Sequence, residues 1–413
     1  MTETNWAGNI AYAAGSISVP RTVSEVQAAV QAATKLRPLG SRHSFNRISD
    51  TAGTLLSLRG LERRFELDRA ARTVTVDGGM TYGELGPRLA EAGYALHNLA
   101  SLPHISIVGA VATATHGSGN ANRNLAGAVT SLELVTAAGD IVRLKRGDAD
   151  FDGAVVNLGA LGVVIAITLD LEPAFEVRQN VYLDLPFETY VENFEAITGS
   201  AYSVSAFTHW CDDTIAHVWL KSRSTAPMRS GDLFGARAAA VGYHPITGMD
   251  ATPTTDQLGA PGPWHLRLPH FKLEFTPSNG NELQSEYFVA RADGPAALRA
   301  LHAVQDRFAP HLMVGELRTV AADTLWLSSA YEQDCLAFHF TWQPDWPAVQ
   351  HVLPVIEAAL SPFGVRPHWG KLFTMPKAEI ATRWSRIDDF RALAGRYDPA
   401  GKFRNDFLDA TVF

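Results

Sequence analysis

The first 175 residues alternate between helical and strand-like spacing of apolar positions. Thr22 and Glu25 form a capping-box pattern, and the apolar residues that follow occupy one helical stripe at Val23, Val26, Val30 and Ala33. This pattern predicts a short amphipathic helix. The chain then enters residues 36–40, an apolar run closed by glycine, which predicts a strand that ends in a turn. His43 therefore lies just past a corner of the kind where ligands commonly bind.

Further strands and a second helix are predicted in the same region. Thr81 and Glu84 repeat the capping-box pattern at the start of a helix that Gly93 closes. Residues 138–140, Ala-Gly-Asp, give a hairpin signal between two strands. The strands are predicted by apolar and β-branched runs with turn residues at their ends, at 54–58, 73–77, 132–136, 141–144 and 162–171.

The character of the chain changes after Pro173. Aromatic-rich strands there alternate with looser segments rich in proline and glycine, above all residues 222–263, which predict a long loop or a cap region. A chain of 413 residues also exceeds what one hydrophobic core usually serves. We therefore predict an α+β fold of two domains with a boundary near residue 173.

Composition and charge exclude several classes of protein. Hydrophobic residues make up 46% and charged residues 19%, which is typical of an ordered globular enzyme. The net charge of −8 and the lack of long Lys/Arg runs argue against a nucleic-acid partner. The apolar stretch at 158–169 is too short to cross a bilayer, and the N-terminus has no apolar signal region. We expect a soluble, cytoplasmic monomer that binds neither nucleic acid nor membrane.

Cysteines, histidines and known motifs narrow the chemistry further. Cys211 and Cys335 are too few for a disulfide framework and lack the paired spacing of a zinc site, so we interpret them as buried free thiols. No metal is predicted. The sequence has no Walker loop, no His-Glu-x-x-His, no Gly-x-Ser-x-Gly and no Gly-x-Gly-x-x-Gly fingerprint. Four histidines without partners at metal-ligand spacing are interpreted as structural or substrate-lining, namely His97, His104, His209 and His217.

Two loops of small residues each hold one histidine within apolar sequence. They are PLGSRHSFN at 38–46 and TATHGSG at 113–119. Glycine and hydroxyl residues let backbone N–H groups approach a pyrophosphate closely, so the loops together suggest a cradle for a flavin dinucleotide. The imidazole of His43 is then the group that would attack the benzenoid methyl carbon of the flavin and tether it. Packing or capping roles for His43 and His116 are the competing interpretation.

Polar residues alternate with apolar ones along two strands of the second half. Glu316 and Arg318 share one face of the first strand, and His339 and Thr341 share one face of the second, whose opposite face is aromatic. Each buried hydroxyl of a substrate needs a partner, so two such strands side by side predict a pocket for a hydroxylated small molecule. For one strand alone, a polar face turned to water is the simpler interpretation, and the occurrence of the pattern on two strands weakens it.

A further candidate group lies near the C-terminus. The segment PHWGK at 367–371 places His368 and Lys371 in an aromatic, glycine-kinked setting. A lysine in a low-dielectric pocket loses affinity for its proton and serves as a base or as an anion stabiliser. From these residues alone, a solvated Lys371 is the simpler interpretation.

Seven segments together resemble a known family. They are NWAGN at 5–9, LGSRHSF at 39–45, ASLPHIS at 100–106, TATHGSG at 113–119, ELRTV at 316–320, HWGK at 368–371 and DPAGKF at 398–403. This set resembles the alditol (xylitol) oxidases, members of the vanillyl-alcohol-oxidase or PCMH-type FAD-linked oxidases, which also include sugar-lactone oxidoreductases. The resemblance covers nearly the whole chain.

The resemblance implies a fold and a cofactor. It implies a PCMH-type FAD-binding domain of two α+β subdomains at 1–173, a substrate-binding cap domain on an antiparallel sheet at 174–375, and a C-terminal segment at 376–413 that returns to the FAD domain. It also implies FAD attached covalently through His43. The implied cofactor contacts are Leu39, Gly40, Ser41, Arg42, His43, Ser44, Phe45, Ser101, Ser106, Gly109, Thr113, Ala114, Thr115, His116, Val164 and His368. Arg42 stands where a smaller residue is expected in some relatives.

The resemblance also implies an activity. The family pattern implies oxidation of the terminal primary hydroxyl of alditols such as xylitol and sorbitol to the aldose, with O2 reduced to H2O2. Lys371, Glu316 and Arg318 are the implied catalytic residues. The implied substrate contacts are Ser101, Glu316, Arg318, His339 and Thr341. Two alternatives fit the same residues: an aldonolactone oxidase or dehydrogenase on this scaffold, and a non-catalytic flavin- or carbohydrate-binding protein.

Overall fold

The computed structural model describes residues 3–227, 231–275 and 281–413. Before residue 174 the described chain forms three sheets with short helices between their strands. In chain order the elements are β1 (Ser16–Ser18), α1 (Val23–Ala32), β2 (Leu36–Leu39), β3 (Thr54–Ser57), β4 (Phe65–Asp68), β5 (Thr73–Asp77), α2 (Tyr82–Glu91), β6 (Tyr94–Ala95), α3 (Ile107–Ala112), β7 (Val129–Val135), β8 (Ile141–Lys145), α4 (Phe151–Val155), β9 (Val163–Asp170) and β10 (Glu172–Pro173).

The sheets of this half follow the predicted elements closely. Strands β1, β3 and β2 form a parallel sheet, and β4, β5, β9, β7 and β8 form an antiparallel one in that order. The side chain of Thr22 caps α1 by accepting from the backbone of Glu25, and the predicted capping box of Thr81 and Glu84 is present at α2. The hairpin between β7 and β8 turns at Gly139, whose φ is +90°. The predicted helices and strands are therefore confirmed here.

After residue 174 the described chain is organised around one large sheet. Its strand order is β14-β11-β13-β12-β17-β18-β16-β19, with β15 pairing β11 as well, and all neighbours are antiparallel. The elements are β11 (Glu176–Pro186), α5 (Phe187–Glu192), α6 (Phe194–Thr198), β12 (Ser203–Thr208), β13 (Thr214–Arg223), β14 (Arg237–Ala238), β15 (Gly262–Pro263), β16 (Leu283–Ala290), α7 (Gly294–His302), β17 (Leu312–Val320), β18 (Cys335–Trp342), α8 (Trp346–Leu360), β19 (Arg366–Pro367), α9 (Lys377–Arg383), α10 (Ile387–Tyr397) and α11 (Asp406–Thr411).

The two faces of this sheet differ in chemistry, as the alternation predicts. On one face, Phe340 and Trp342 of β18 stack with ring centroids 5.2 Å apart, and helices α7 and α8 cover the core that they build. On the other face, residues in register across three strands are polar: Glu286 pairs with His339, which pairs with Glu316. Cross-strand partners point to the same side, so the sheet collects these groups in one row.

The long segment at 222–263 is largely irregular, in agreement with its proline and glycine content. Strand β13 ends at Arg223, and among the described residues that follow only the two-residue strands β14 and β15 interrupt the irregular segment; residues 228–230 lie outside the described part. Cys211, predicted to be buried, is exposed in the bend after β12, because the chain leaves the sheet there, whereas Cys335 is buried. Both cysteines are free thiols.

The C-terminal segment is hydrogen-bonded to strand β2 of the first parallel sheet. The backbone N–H of Leu36 donates to the carbonyl of Lys402, at 3.0 Å. The buried guanidinium of Arg37 donates to the carbonyls of Ile48, Leu158, Gly159 and Phe403. The tail and the first parallel sheet are thus joined by hydrogen bonds, while the predicted boundaries at 173 and 375 stay predictions.

Candidate functional site

A cavity of about 420 Å³ opens between the loop after β2, helix α3 and the polar face of the large sheet. Its size falls in the range of pockets that hold small ligands. It is lined by every predicted site residue except Ala114, which is buried behind Thr113 and Thr115 with a φ of +55°. Four histidines were interpreted as structural or substrate-lining, and none of them lines the cavity: His97, His104, His209 and His217.

Two serines hold the loop after β2 against the start of α3. The backbone N–H of Ser106 donates to Oγ of Ser41 at 3.1 Å, and the backbone N–H of Ser41 donates to Oγ of Ser106 at 3.3 Å. The loop and the start of α3 lie so close together that no side chain fits between them, since a Cβ on Gly40 would lie 2.5 Å from the Ser106 hydroxyl oxygen. The chain then passes through Arg42 at a φ of +66°, and the Arg42 carbonyl accepts from the backbone of Trp6.

His43 follows this turn and lies in the cavity wall beside Trp6. Its ring stacks on the indole at a centroid distance of 5.2 Å. Burial lowers the pKa of His43 to about 4, so the imidazole is neutral at neutral pH. Nδ1 lies 3.0 Å from the Ser41 carbonyl, and Nε2 is buried without a hydrogen-bond partner among the described residues. A buried, unpaired ring nitrogen is rare in folded proteins and calls for a specific partner.

The loop of His43 is tied to the turn that carries Lys371. The backbone N–H of Phe45 donates to the carbonyl of Gly370 at 2.8 Å. The side-chain amide of Asn46 donates to the carbonyls of Trp369, at 2.8 Å, and Lys371, at 2.7 Å. These bonds fix the distance between the histidine loop and the lysine turn, although the two are far apart in sequence.

The carboxylate of Glu286 lies at the centre of the site and contacts side chains from three other parts of the chain. Its Oε1 lies 2.7 Å from Nη2 of Arg318 and 3.1 Å from Nε2 of His116, and its Oε2 lies 2.8 Å from Nζ of Lys371. The side chain is 1% exposed. Burial alone would raise the pKa of Glu286, but its contacts with Lys371, His116 and Arg318 hold it well below its usual range.

Lys371 lies between this carboxylate and a histidine. Its Nζ is 2.6 Å from Nδ1 of His339, whose Nε2 is 3.1 Å from Oγ1 of Thr341. Burial, reinforced by the charge of Lys371, lowers the pKa of His339 to about 4. Burial also lowers the pKa of Lys371, against the opposing effect of Glu286. The site therefore joins an amine that gives up its proton more readily than usual to a neutral imidazole that accepts a hydrogen bond from it.

A second carboxylate lies at the other end of the polar row. Oε1 of Glu316 is 2.7 Å from Nε2 of His270 and 3.5 Å from Nε of Arg318. Nη1 of Arg318 donates to Oγ of Ser101 at 3.3 Å, which links the sheet to the loop before α3. Burial alone would raise the pKa of Glu316, but Arg318 and His270 lower it well below its usual range. Arg318 is thus shared between two buried carboxylates.

Two expectations based on residue type alone are corrected by these contacts. The polar faces of β17 and β18 are not turned to water, since Glu316, Arg318, His339 and Thr341 are all under 9% exposed. Lys371 is not solvated either, because its ammonium is paired with Glu286 from β16 and its side chain is 14% exposed. The helix-and-loop layer of the N-terminal half covers the face of the sheet that an isolated strand would show to solvent.

Glu286, His270 and Gln284 line the cavity but were missed by the sequence reasoning. For Glu286 and Gln284 a weaker signal existed, because they occupy alternate positions of β16 as Glu316 and Arg318 do in β17, although Ser285 between them is polar. His270 lies in an irregular segment, where no periodicity marks it.

Comparison with known proteins identifies the family. A model described as an FAD binding domain matches residues 16–145, and one described as D-arabinono-1,4-lactone oxidase matches residues 278–411. The alditol oxidase of a Streptomyces species is 49% identical over 98% of this chain and 97% of its own. The chain belongs to the alditol oxidase family. The L-gulono-1,4-lactone dehydrogenase of Mycobacterium tuberculosis is 30% identical over 98% of this chain and 97% of its own.

Solved structures agree with this family at the level of the fold. Cholesterol oxidase from Brevibacterium sterolicum superimposes with a TM-score of 0.79 at 15% identity, covering 100% of this chain and 96% of its own. A solvent-stable cholesterol oxidase has the same TM-score at 17% identity, covering 99% of this chain and 96% of its own. This alditol oxidase family member therefore has the PCMH-type FAD fold, with its α+β architecture and antiparallel sheets.

The cavity of this family member fits FAD on structural grounds. The loop at Gly40 approaches helix α3 at Gly109 with no side chain between them, which presents backbone to the cavity as a dinucleotide requires. His43, whose Nε2 is buried without a partner among the described residues, lines the same cavity. The protein is an FAD-dependent oxidoreductase, and the alternative of a non-catalytic binding protein is set aside. Within the described residues no helix is both long and apolar enough to cross a membrane.

Proposed function

We propose that this protein oxidises the terminal primary hydroxyl of an alditol such as xylitol or sorbitol to the aldehyde of the aldose, with O2 reduced to H2O2. The observation that carries the proposal is the row of buried polar groups on one sheet face, contributed by Glu316, Arg318, His339 and Thr341, above the cavity that fits FAD. Each of these groups offers a substrate hydroxyl a partner away from water. The 49% identity to an alditol oxidase supports the same substrate class.

In this proposal the cationic side chains hold the reacting alcohol. When bound, FAD would supply the acceptor for the hydride of the carbinol carbon and the route for the electrons to O2. Arg318 and Lys371 donate hydrogen bonds to the alcohol oxygen, and Glu316 accepts from a neighbouring hydroxyl. Hydrogen bonds to charged groups are about twice as strong as neutral ones, so they orient the alcohol well.

Lys371 is also proposed to handle the hydroxyl proton. In its neutral form, Nζ accepts the proton of the alcohol directly or through one water that it orients. Nδ1 of His339, 2.6 Å away, accepts a hydrogen bond from Nζ and helps to hold the amine in place. The lowered pKa of Lys371 supports a base of this kind. Glu286 keeps the amine aimed at the cavity throughout.

We further propose that FAD is attached covalently through His43. The neutral imidazole, with one buried nitrogen that lacks a partner, supports this linkage. Intact mass spectrometry of the purified protein is expected to show an added FAD mass, and peptide mapping is expected to place it on the segment that contains His43. His43→Ala is the control, expected to bind FAD without a covalent bond. A colourless wild-type protein, or an adduct on another segment, would contradict the proposal.

A lactone oxidoreductase is the second candidate, favoured by the match of residues 278–411 to the D-arabinono-1,4-lactone oxidase model. Steady-state assays with xylitol, sorbitol and an aldonolactone, followed by peroxide release and by dye reduction in parallel, separate the two. We expect turnover with the alditols and peroxide as product. Turnover with the lactone alone, or dye reduction without peroxide, would favour the second candidate or a dehydrogenase.

A further inference from the structure

A lysine lies buried behind the site and outside the cavity. Lys221, on β13, is 1% exposed and forms no ion pair with any described residue. Its ammonium contacts three acceptors: the carbonyls of Leu268 and of Pro269, the latter at 2.9 Å, and Nδ1 of His270 at 3.1 Å. An ammonium has three N–H donors and no acceptor, so these three partners match its charged form.

The same histidine contacts Glu316 through its other nitrogen. Nε2 of His270 is 2.7 Å from Oε1 of Glu316. A carboxylate only accepts, so the proton of the neutral imidazole belongs on Nε2, which leaves Nδ1 free to accept from Lys221. Burial, followed by the charge of Lys221, lowers the pKa of His270 to about 4, consistent with a neutral ring. Hydrogen bonds are thus donated in one direction, from Lys221 to His270 and from His270 to Glu316.

We propose that Lys221 is a positioning residue of the reaction: by donating to His270 it selects the tautomer that holds Glu316 ionised and turns the second carboxylate oxygen of Glu316 to a substrate hydroxyl. This proposal depends on the proposed function only because it assumes that Glu316 binds a substrate hydroxyl. Lys221 itself does not border the cavity, so its effect reaches the substrate through two other side chains. Glu316 does border the cavity, as does His270.

The charge of Lys221 makes this arrangement sensitive to pH. Burial lowers the pKa of Lys221 to about 7, and the charged or titratable groups that face it are His270, Glu316 and Arg318. The neighbouring strands β11 and β12 offer only uncharged partners in register, Gln179 and Ser203. Above pH 7 the neutral amine has a lone pair, and among its described contacts only Nδ1–H of His270 can donate to it, since the other two are carbonyls. That tautomer turns the lone pair of Nε2 towards the Glu316 carboxylate, so the bond to Glu316 is lost.

Kinetics of Lys221→Met test the proposal in the holoenzyme. We expect KM for xylitol to rise roughly tenfold, the size of one hydrogen bond to a charged group, with kcat changed less than about threefold. In the wild type KM is expected to rise as the pH passes about 7, whereas in the variant KM is high at all pH values. Gln179→Met is the matched control, because Gln179 pairs with Lys221 across the strands and is equally buried. A control that loses affinity as much as Lys221→Met would assign the effect to packing and overturn the proposal.

A spectroscopic measurement without substrate completes the test. Protein labelled with ¹⁵N-histidine, with the His270 signal assigned from His270→Asn, is expected to show the Nε2–H tautomer below pH 7 and a change of tautomer as the pH rises. Lys221→Met is expected to lose the pure Nε2–H form. Identical His270 signals in wild type and variant, or a wild-type signal independent of pH, would overturn the proposal, and the wild-type titration decides even if the variant does not fold. A protein that fails to oxidise alditols but shows this titration would refute the proposed function alone.

Discussion

Individual residues in the site are organised around the carboxylate of Glu286. Arg318, Lys371 and His116 all point at it, and at 1% exposure it has no water to replace them. Removing one partner of a buried ion pair leaves the other charges uncompensated, which costs roughly 3–5 kcal/mol. Glu286 therefore fixes both cations that are proposed to hold the alcohol, although it is not itself proposed to react.

Glu286→Gln is expected to lower kcat/KM for xylitol roughly a hundredfold, because a misplacement of catalytic groups by about 1 Å costs that much. The amide cannot pair with Arg318 and Lys371 at once. Steady-state kinetics with peroxide detection measure the effect, and the FAD content of the variant shows whether the cofactor site is intact. Glu357→Gln, which changes a carboxylate bonded to Tyr287 and Thr374 away from the cavity, is the control. Equal losses in both variants would contradict a special role for Glu286.

Lys371→Ala is expected to slow the reduction of the flavin by xylitol far more than it weakens xylitol binding. The amine is proposed to act on the proton in the transition state, and losses confined to the transition state appear in the rate and not in the affinity. Anaerobic stopped-flow bleaching of the yellow colour, measured over a range of xylitol concentrations, gives both quantities. An unchanged limiting rate would refute the role.

At the scale of elements, sequence periodicity predicted the strands but not what covers them. The alternation in β17 and β18 was sufficient to place Glu316, Arg318, His339 and Thr341 on one face, and the register confirms it. Burial of that face depends on segments distant in sequence, so the solvation of Lys371 was wrongly predicted. His270 is positioned by an irregular segment whose backbone bonds to Ser101, and no local pattern encodes such a contact.

The loop after β2 depends on a backbone conformation that its sequence does not favour. Arg42 has a φ of +66°, a region that costs a residue with a Cβ roughly 1 kcal/mol, and its side chain forms an ion pair with Glu3 at the surface. Arg42→Gly is expected to keep the melting temperature close to wild type, since the relief of strain offsets the lost pair. Arg42→Ala loses the pair and keeps the strain, so it is expected to be less stable than Arg42→Gly by about 1 kcal/mol.

Thermal denaturation of the two Arg42 variants, with FAD content determined in parallel, checks this expectation. Both variants are expected to retain FAD, because the serine bonds between Ser41 and Ser106 do not involve the Arg42 side chain. If Arg42→Ala proved as stable as Arg42→Gly, the left-handed conformation of residue 42 would carry no strain in this loop.

The whole molecule contains several histidines that burial keeps neutral. Burial lowers the pKa values of His43, His217, His270 and His339 to about 4 each. Between pH 6.5 and 4 the unfolded chain binds a proton at each of these rings that the folded chain does not bind, so folding loses stability as the pH falls through this window. Each ring contributes about 3 kcal/mol of lost stability over the full window. The fold is therefore expected to be labile to mild acid, independent of catalysis.

His217 allows this expectation to be tested away from the site. Its ring is 6% exposed, packs edge-on against Tyr243 at 5.0 Å and has an Nδ1 without a partner among the described residues. His217→Phe replaces the imidazole with an aromatic ring that binds no proton. The stability of the variant is expected to match that of the wild type near pH 7 and to exceed it by about 2 kcal/mol near pH 5. Melting temperatures at the two pH values measure the difference, with His351→Gln as the control at an exposed position. A His217→Phe variant that loses as much stability in acid as the wild type would place the acid lability elsewhere, most directly in the buried histidines of the site.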